Sequence, residues 1–148
     1  MIVDERLVDA AVRLLNRRWP AAGWAVTSAM YLDDGQVITS VGLDNLNAGA
    51  VLCAEVGALC QAYTLNRQVA ASVCVCRDGD RGSIVVLAPC GICQERLALW
   101  GPDVQVAVPT DGQPGGWMSL RLADLHPYYW GSHFATDGGW PSSDRHRS

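Results

Sequence analysis

Residues 88–97, APCGICQERL, put two cysteines three apart behind a proline, at the head of a run with helical character. What those thiols do decides how the chain around them is read. Gly101 and Pro102 stop the run, so CGICQERLALW (90–100) is predicted to form a short helix opened by Cys90. Upstream, IVVLAP (84–89) is an apolar run preceded by the turn RDGDRG and by ASVCVC (71–76), which reads as a strand. Downstream, VQVAVP (104–109) is another strand and WMSL (117–120) a short one. A Cys-x-x-Cys pair in this setting fits three chemistries: a redox couple, half of a structural zinc site, or two small buried residues.

Working outward, VLCAEVGALCQAYTLNR (51–67) repeats Val56, Leu59, Cys60 and Tyr63 at helical spacing, which predicts a second helix, largely buried. WAVTSAMYL reaches QVITSVGL through DDG, a turn signal between two strand-forming runs, so a hairpin is expected at 24–32 and 36–42. Residues 4–18 carry Leu7, Ala11, Leu14 and Leu15 on one stripe, with Asp4 placed to cap an amphipathic helix that Pro20 and Gly23 end. RLADLHP resembles one helical turn. From Gly131 the composition turns to Gly, Ser, Asp and His, which predicts a loosely ordered tail. The order α-β-β-α-β-α-β with short connections predicts an α/β fold, three layers α-β-α around one mixed, mostly five-stranded sheet. The domain is expected to occupy 1–130, with a polar C-terminal extension at 131–148.

Length and composition agree with one globular domain: 148 residues, 49% hydrophobic and 18% charged, enough to bury roughly two-thirds of the unfolded surface. A net charge of −4 gives no broad attraction to phosphate backbones or anionic lipid, which argues against nucleic acid and membrane as partners. The longest apolar runs fall far short of the roughly 20 residues of a bilayer span. No signal peptide is visible at the start of the sequence, so a cytoplasmic protein is expected, and its six cysteines should be thiols that are buried, reactive or metal-bound.

The cysteines divide by position. Cys60 lies on the apolar stripe of the second helix, and Cys74 and Cys76 are taken to point to opposite faces of their strand; all three are assigned to the core. Cys53 opens the second helix as Cys90 opens the third, and unpaired N–H groups at a helix start stabilise a thiolate. Cys53, Cys90 and Cys93 together would give Zn²⁺ three ligands and leave a fourth position open, the composition of a catalytic site and not of a closed structural one. Glu55, in the first turn of the helix after Cys53, would stand beside such an ion without binding it, placed to move protons. A carboxylate at a helix start also has a purely structural use.

The pair CAE (53–55) and PCGIC (89–93), separated by a helix and a strand, resembles the zinc-dependent cytidine deaminase superfamily, whose signature is [H/C]-x-E followed by P-C-x-x-C. Cys in first place and the short chain look like the small cytidine deaminases and the blasticidin S deaminases. The resemblance runs from the hairpin carrying Trp24 to LADLHPYYWG. It implies zinc held by Cys53, Cys90 and Cys93, Glu55 as proton shuttle, substrate contacts from Trp24, Asp44, the backbone of Ala54 and the Ala88–Pro89 turn, and Trp130 closing a neighbouring subunit's pocket. It further implies a homotetramer, or alternatively a homodimer, acting on a small molecule, with cytidine or deoxycytidine first. Where the family has approximately N-V-E-N before the first ligand, with Asn and Glu on the ribose, this chain has Gly42, Leu43, Asp44 and Asn45. Gln94 replaces an Arg that all-cysteine members carry; it is expected to donate to a sulfur, with Arg96 as a second source of charge compensation. Blasticidin S or another amino-heterocycle is the alternative substrate, and a zinc-binding scaffold without turnover the alternative function. The histidines His126, His133 and His146 are assigned structural or solvated roles.

Overall fold

A computed structural model describes residues 1–79, 82–113, 115–135 and 139–140. Helix α1 (Glu5–Arg18) starts where expected, because the Asp4 carboxylate accepts from the Leu7 N–H, one of the donors a helix start leaves unpaired. The same carboxylate accepts from the Tyr31 hydroxyl at 2.8 Å, which docks the helix onto the sheet. The hairpin follows as β1 (Ala25–Leu32) and β2 (Val37–Val41), paired antiparallel from Thr27↔Val41 to Tyr31↔Val37. Its turn is made at Gly35, whose φ of +83° suits glycine.

Helix α2 (Glu55–Thr64), strand β3 (Val69–Arg77), strand β4 (Ile84–Leu87) and helix α3 (Gly91–Leu97) come next, then β5 (Gln105–Pro109), β6 (Trp117–Arg121) and the short helix α4 (Leu122–Leu125). The sheet is mixed and holds six strands where mostly five were expected. Its order is β2-β1-β3-β5-β6, and β4 is the addition: it folds back on β3 from Cys74↔Leu87 to Arg77↔Ile84, while β5 runs parallel to β3 at Ala71 and Ser72. One edge of β3 thus serves two partners in succession. That division leaves the end of β4 free to turn into the Ala88–Cys90 segment over the sheet.

Two apolar layers confirm the α-β-α sandwich. On one face Leu7, Ala11 and Leu15 of α1 meet Ala29, Tyr31, Val73 and Val75. On the other, Ala58, Leu59 and Ala62 of α2 and Leu97 of α3 meet Met30, Leu32, Val69 and Val106. Each fully buried leucine contributes roughly 1.5–3 kcal/mol. The stripe read as the buried face of α2 is only partly so: Leu59 is buried, but Cys60 and Tyr63 are exposed and Val56 is half-buried. The inward face is made instead by small residues, Ala58 and Ala62, with Gly57 so close to β2 that a Cβ there would lie 2.8 Å from the Ser40 side chain. Cys60 is therefore corrected from core to surface.

Past residue 130 the chain forms a 3-10 turn, Trp130–Phe134, and Trp140 packs on Tyr129 with ring centroids 4.2 Å apart, inside the core cluster of the α2–α3 face. Residues 136–138 and 141–148, His146 among them, lie outside the described residues. Among those described, no helix is long and apolar enough to cross a membrane.

Candidate active site

The site forms where the segments leading into α2 and α3 meet over the end of the sheet. Ser40 of β2 donates its hydroxyl to the Ala54 carbonyl, which fixes the Cys53–Ala54–Glu55 turn against the hairpin. Cys53 precedes α2 by two residues and Cys90 caps α3. Their sulfurs lie 3.5 Å apart, and with Cys93 all three lie within 4.8 Å of one another. A tetrahedral zinc with bonds of about 2.3 Å holds its sulfurs about 3.8 Å apart, so the cluster already approximates the spacing that the ion requires. Among the described residues these three form the metal-capable cluster, and Cys60 and Cys76 stand outside it.

Glu55 is 3% exposed, and the Cys93 thiol donates to its Oε2 at 3.6 Å. A carboxylate is thus buried beside the three sulfurs. Burial raises the Cys53 pKa, helped by the Cys90 side chain, and raises Cys93 further, with the Glu55 carboxylate next in importance. Cys90 moves the other way: the N–H groups of Cys93 and Ile92 and the Cys53 thiol outweigh its desolvation and favour its thiolate. Without a cation, burial favours the protonated thiols of Cys53 and Cys93; a divalent ion would displace those protons.

Two expectations change here. Gln94 does not address a sulfur: its Nε2 donates to the Pro89 carbonyl at 2.8 Å and ties the Ala88–Pro89 turn to α3. The nitrogen that reaches a sulfur is Arg96 Nη1, 3.8 Å from Cys93. Residues three apart share a helix face and adjacent residues do not, so Arg96 sits with Cys93 where Gln94 cannot. Cys74 and Cys76, two apart in β3, point to the same face of the strand, not to opposite ones. Cys74 lies beneath Glu55, its thiol held protonated by burial and then by that carboxylate.

Above the thiols is a cavity of about 460 Å³. Its floor is Cys53, Ala54, Glu55, Cys74 and Cys90. Its mouth is largely apolar, with Trp24, Leu43, Val51 and Leu52 around one carboxylate, Asp44. Trp24, Asp44 and Ala54 are thus brought to the site, with Gly42 and Ala88 beside them. Trp130, expected at a neighbouring subunit's pocket, does not line this chain's own cavity, and its indole donates to Glu95 at 3.0 Å. His126 and His133 make edge contacts with Tyr129 and Phe134 and stand outside the cavity. Sequence reasoning missed Trp19, which also lines the mouth; it lies at the exit of α1, where an apolar residue reads as the last of the amphipathic stripe.

The chain is 39% identical to a cytidine deaminase of Mycobacterium tuberculosis over 109 residues, 73% of this chain and 74% of that protein. The chain belongs to the cytidine deaminase family. No family model matches it. The crystal structure of the cytidine deaminase from Bacillus anthracis superimposes with a TM-score of 0.82 at 35% identity, covering 90% of this chain and 94% of that one. A blasticidin-S deaminase of Bacillus cereus is 25% identical over 115 residues, 74% of this chain and 81% of that protein. Family membership makes the protein an enzyme, a hydrolytic deaminase, and sets aside the scaffold alternative.

Proposed function

We propose that this deaminase uses zinc, held by Cys53, Cys90 and Cys93, to replace the exocyclic amine of cytidine or deoxycytidine by oxygen, releasing ammonia. The observation that carries the reading is the juxtaposition of three thiols within 4.8 Å and a buried carboxylate at the floor of a cavity of about 460 Å³. When bound, Zn²⁺ supplies the Lewis acidity that makes a water nucleophilic at neutral pH. Glu55 takes a proton from the attacking water and passes it to the ring nitrogen, then carries the second to the departing amine. Burial keeps bulk water from competing for those protons. The Ala54 backbone and the Ala88–Pro89 turn, braced by Gln94, meet the amide edge of the ring. Trp24 stacks on the base and Asp44 faces the substituent on the ring. Arg96 offsets part of the net −1 charge that three thiolates leave on Zn²⁺.

Glu55→Ala tests the reading: zinc is retained and ammonia release falls by about 10²–10⁴-fold or more. A variant that keeps its rate removes Glu55 from the chemistry. A second substrate reading, a blasticidin-type or other amino-heterocycle, is favoured by the mouth, where Asp44 is the one acidic side chain among apolar neighbours. Ammonia release from cytidine, cytosine, blasticidin S and aminopurines, compared side by side, separates the two.

We further propose a homotetramer in the cytoplasm. The outward face of α2, with Val56, Cys60 and Tyr63, continues into Leu99 and Trp100 as one apolar groove, which supports burial against a second copy, and Trp130 stands at that side to reach a neighbour's pocket. Six cysteines without a disulfide fit a reducing compartment.

A further inference from the structure

Arg77 is the last residue of β3 and is 7% exposed. Its donors go to main-chain carbonyls: Nε to Gly23 at 2.9 Å, and Nη2 to Trp19 at 2.9 Å and Ala21 at 2.6 Å. All three acceptors belong to the six-residue connection between α1 and β1, which has no helix or strand of its own. A buried guanidinium is costly unless its donors are met, and here three of its five N–H donors are met by one loop. The ends of that loop are Trp19 and Trp24, both at the mouth of the cavity.

A second contact holds the same loop from another side. Gly79, two residues beyond Arg77, lies so close that a Cβ built on it would be 3.1 Å from the Trp24 nitrogen. The Trp24 backbone is therefore boxed between the end of β3 and the hydrogen bonds of Arg77. Trp24 is 68% exposed, so the placement of its ring follows from its backbone more than from packing around it.

From this geometry we infer that Arg77 is a positioning residue for substrate binding: it clamps the 19–24 loop to the sheet and so presents Trp24 and Trp19 as a preformed aromatic wall for the heterocycle. Preorganisation of this kind lowers the cost of ordering the loop on binding, and its loss appears in KM and not in the chemical step. The inference rests on the reading that Trp24 stacks on the substrate. Lysine is a poor replacement, because a single ammonium cannot reproduce a fork that spans three carbonyls.

The test uses Arg77→Met, Arg77→Lys, Gly79→Ala and Trp24→Ala, with the double variant Arg77→Met/Trp24→Ala. Ammonia release, zinc content and hydrogen exchange of residues 19–24 are measured on each. Arg77→Met is expected to raise KM about tenfold with kcat within about twofold and zinc content unchanged, the size expected for losing hydrogen bonds to a charged group. Arg77→Lys and Gly79→Ala should raise KM by smaller factors, and the double variant should be little worse than Trp24→Ala alone. Exchange in 19–24 should rise in Arg77→Met. If Arg77→Met does not fold, Arg77→Lys and Gly79→Ala decide the matter by the same two readouts. An unchanged KM and unchanged exchange in the folded variants would overturn the inference, as would effects of Arg77→Met and Trp24→Ala that multiply independently. If Trp24→Ala leaves KM unchanged, the stacking reading fails, and exchange in 19–24 still judges the clamp.

Discussion

The floor and the mouth of the cavity are built on different plans. At the floor, Cys53, Glu55 and Cys90, with Cys93 buried behind them, arrive at the beginnings of two helices whose inner faces are locked in the core by Ala58, Ala62 and Leu97. At the mouth, Trp19, Trp24, Leu43, Asp44, Val51 and Leu52 come from connections and short turns, and several are exposed. Chemistry that needs four groups held within a few ångströms is placed on regular structure, where position follows from packing. Selection among substrates is left to loops, which can change residue without disturbing the core.

That contrast breaks most visibly at the floor. Cys93→Ser removes one of the sulfurs and should eliminate stoichiometric zinc and reduce ammonia release to background, as measured by metal analysis alongside the assay. A folded variant that keeps zinc and rate would mean the three thiols do not act together. Arg96→Met comes next: without the cation 3.8 Å from Cys93, zinc affinity should fall by about 10–100-fold in a competition with a chelating dye, with Gln94→Ala much closer to wild type. Equal effects of the two would place the compensation elsewhere.

A smaller effect separates the metal-free from the loaded floor. Burial raises the thiol pKa of Cys53, Cys74 and Cys93 above the ordinary value, so the unfolded chain loses these protons first. The stability due to these neutral thiols is complete below the unfolded pKa and declines as pH rises through it, because there the unfolded state binds fewer protons. Zinc inverts the sign, since it displaces protons and binds more tightly as pH rises. Melting curves from about pH 7 to about pH 10, with and without chelator, should therefore diverge as the pH increases above the ordinary thiol range. The mouth offers the smallest change. A Cβ on Gly42 would meet only backbone atoms at 3.7 Å or more, so Gly42→Asn should fold and add one hydrogen-bonding group facing the substituent on the ring. KM for cytidine should then fall by about threefold with kcat unchanged, and a rise would indicate that this wall is not a sugar contact.

The same division governs what could be read from sequence. Helix α1 was legible because its apolar spacing, its Asp4 cap and its stop signals agree, and the hairpin because its turn chemistry is explicit. The floor was legible because Cys53, Glu55, Cys90 and Cys93 occupy fixed positions relative to two helix starts. Cys60 was misplaced for a physical reason: periodicity identifies an apolar face but not what covers it, and on α2 Cys60 and Tyr63 of the stripe look outward while Leu59 and the alanines pack inward. Strand β4 escaped a definite place in the sheet because four apolar residues do not declare a partner. The exchange of roles between Gln94 and Arg96 was available in principle, since i,i+3 spacing puts Arg96 and not Gln94 beside Cys93. The clamp of Arg77 on 19–24 was not, because it links residues 54 or more positions apart through carbonyls that carry no sequence signature.

Zinc-edge X-ray absorption on the purified protein measures the metal centre most directly. One zinc per chain is expected, with three sulfurs at about 2.3 Å and one nitrogen or oxygen neighbour, unchanged in sulfur count by Cys60→Ser and Cys74→Ser. A fourth sulfur around the ion would make the site closed and structural, and zinc bound with fewer than three sulfurs, or not at all, would contradict the assignment of Cys53, Cys90 and Cys93 together.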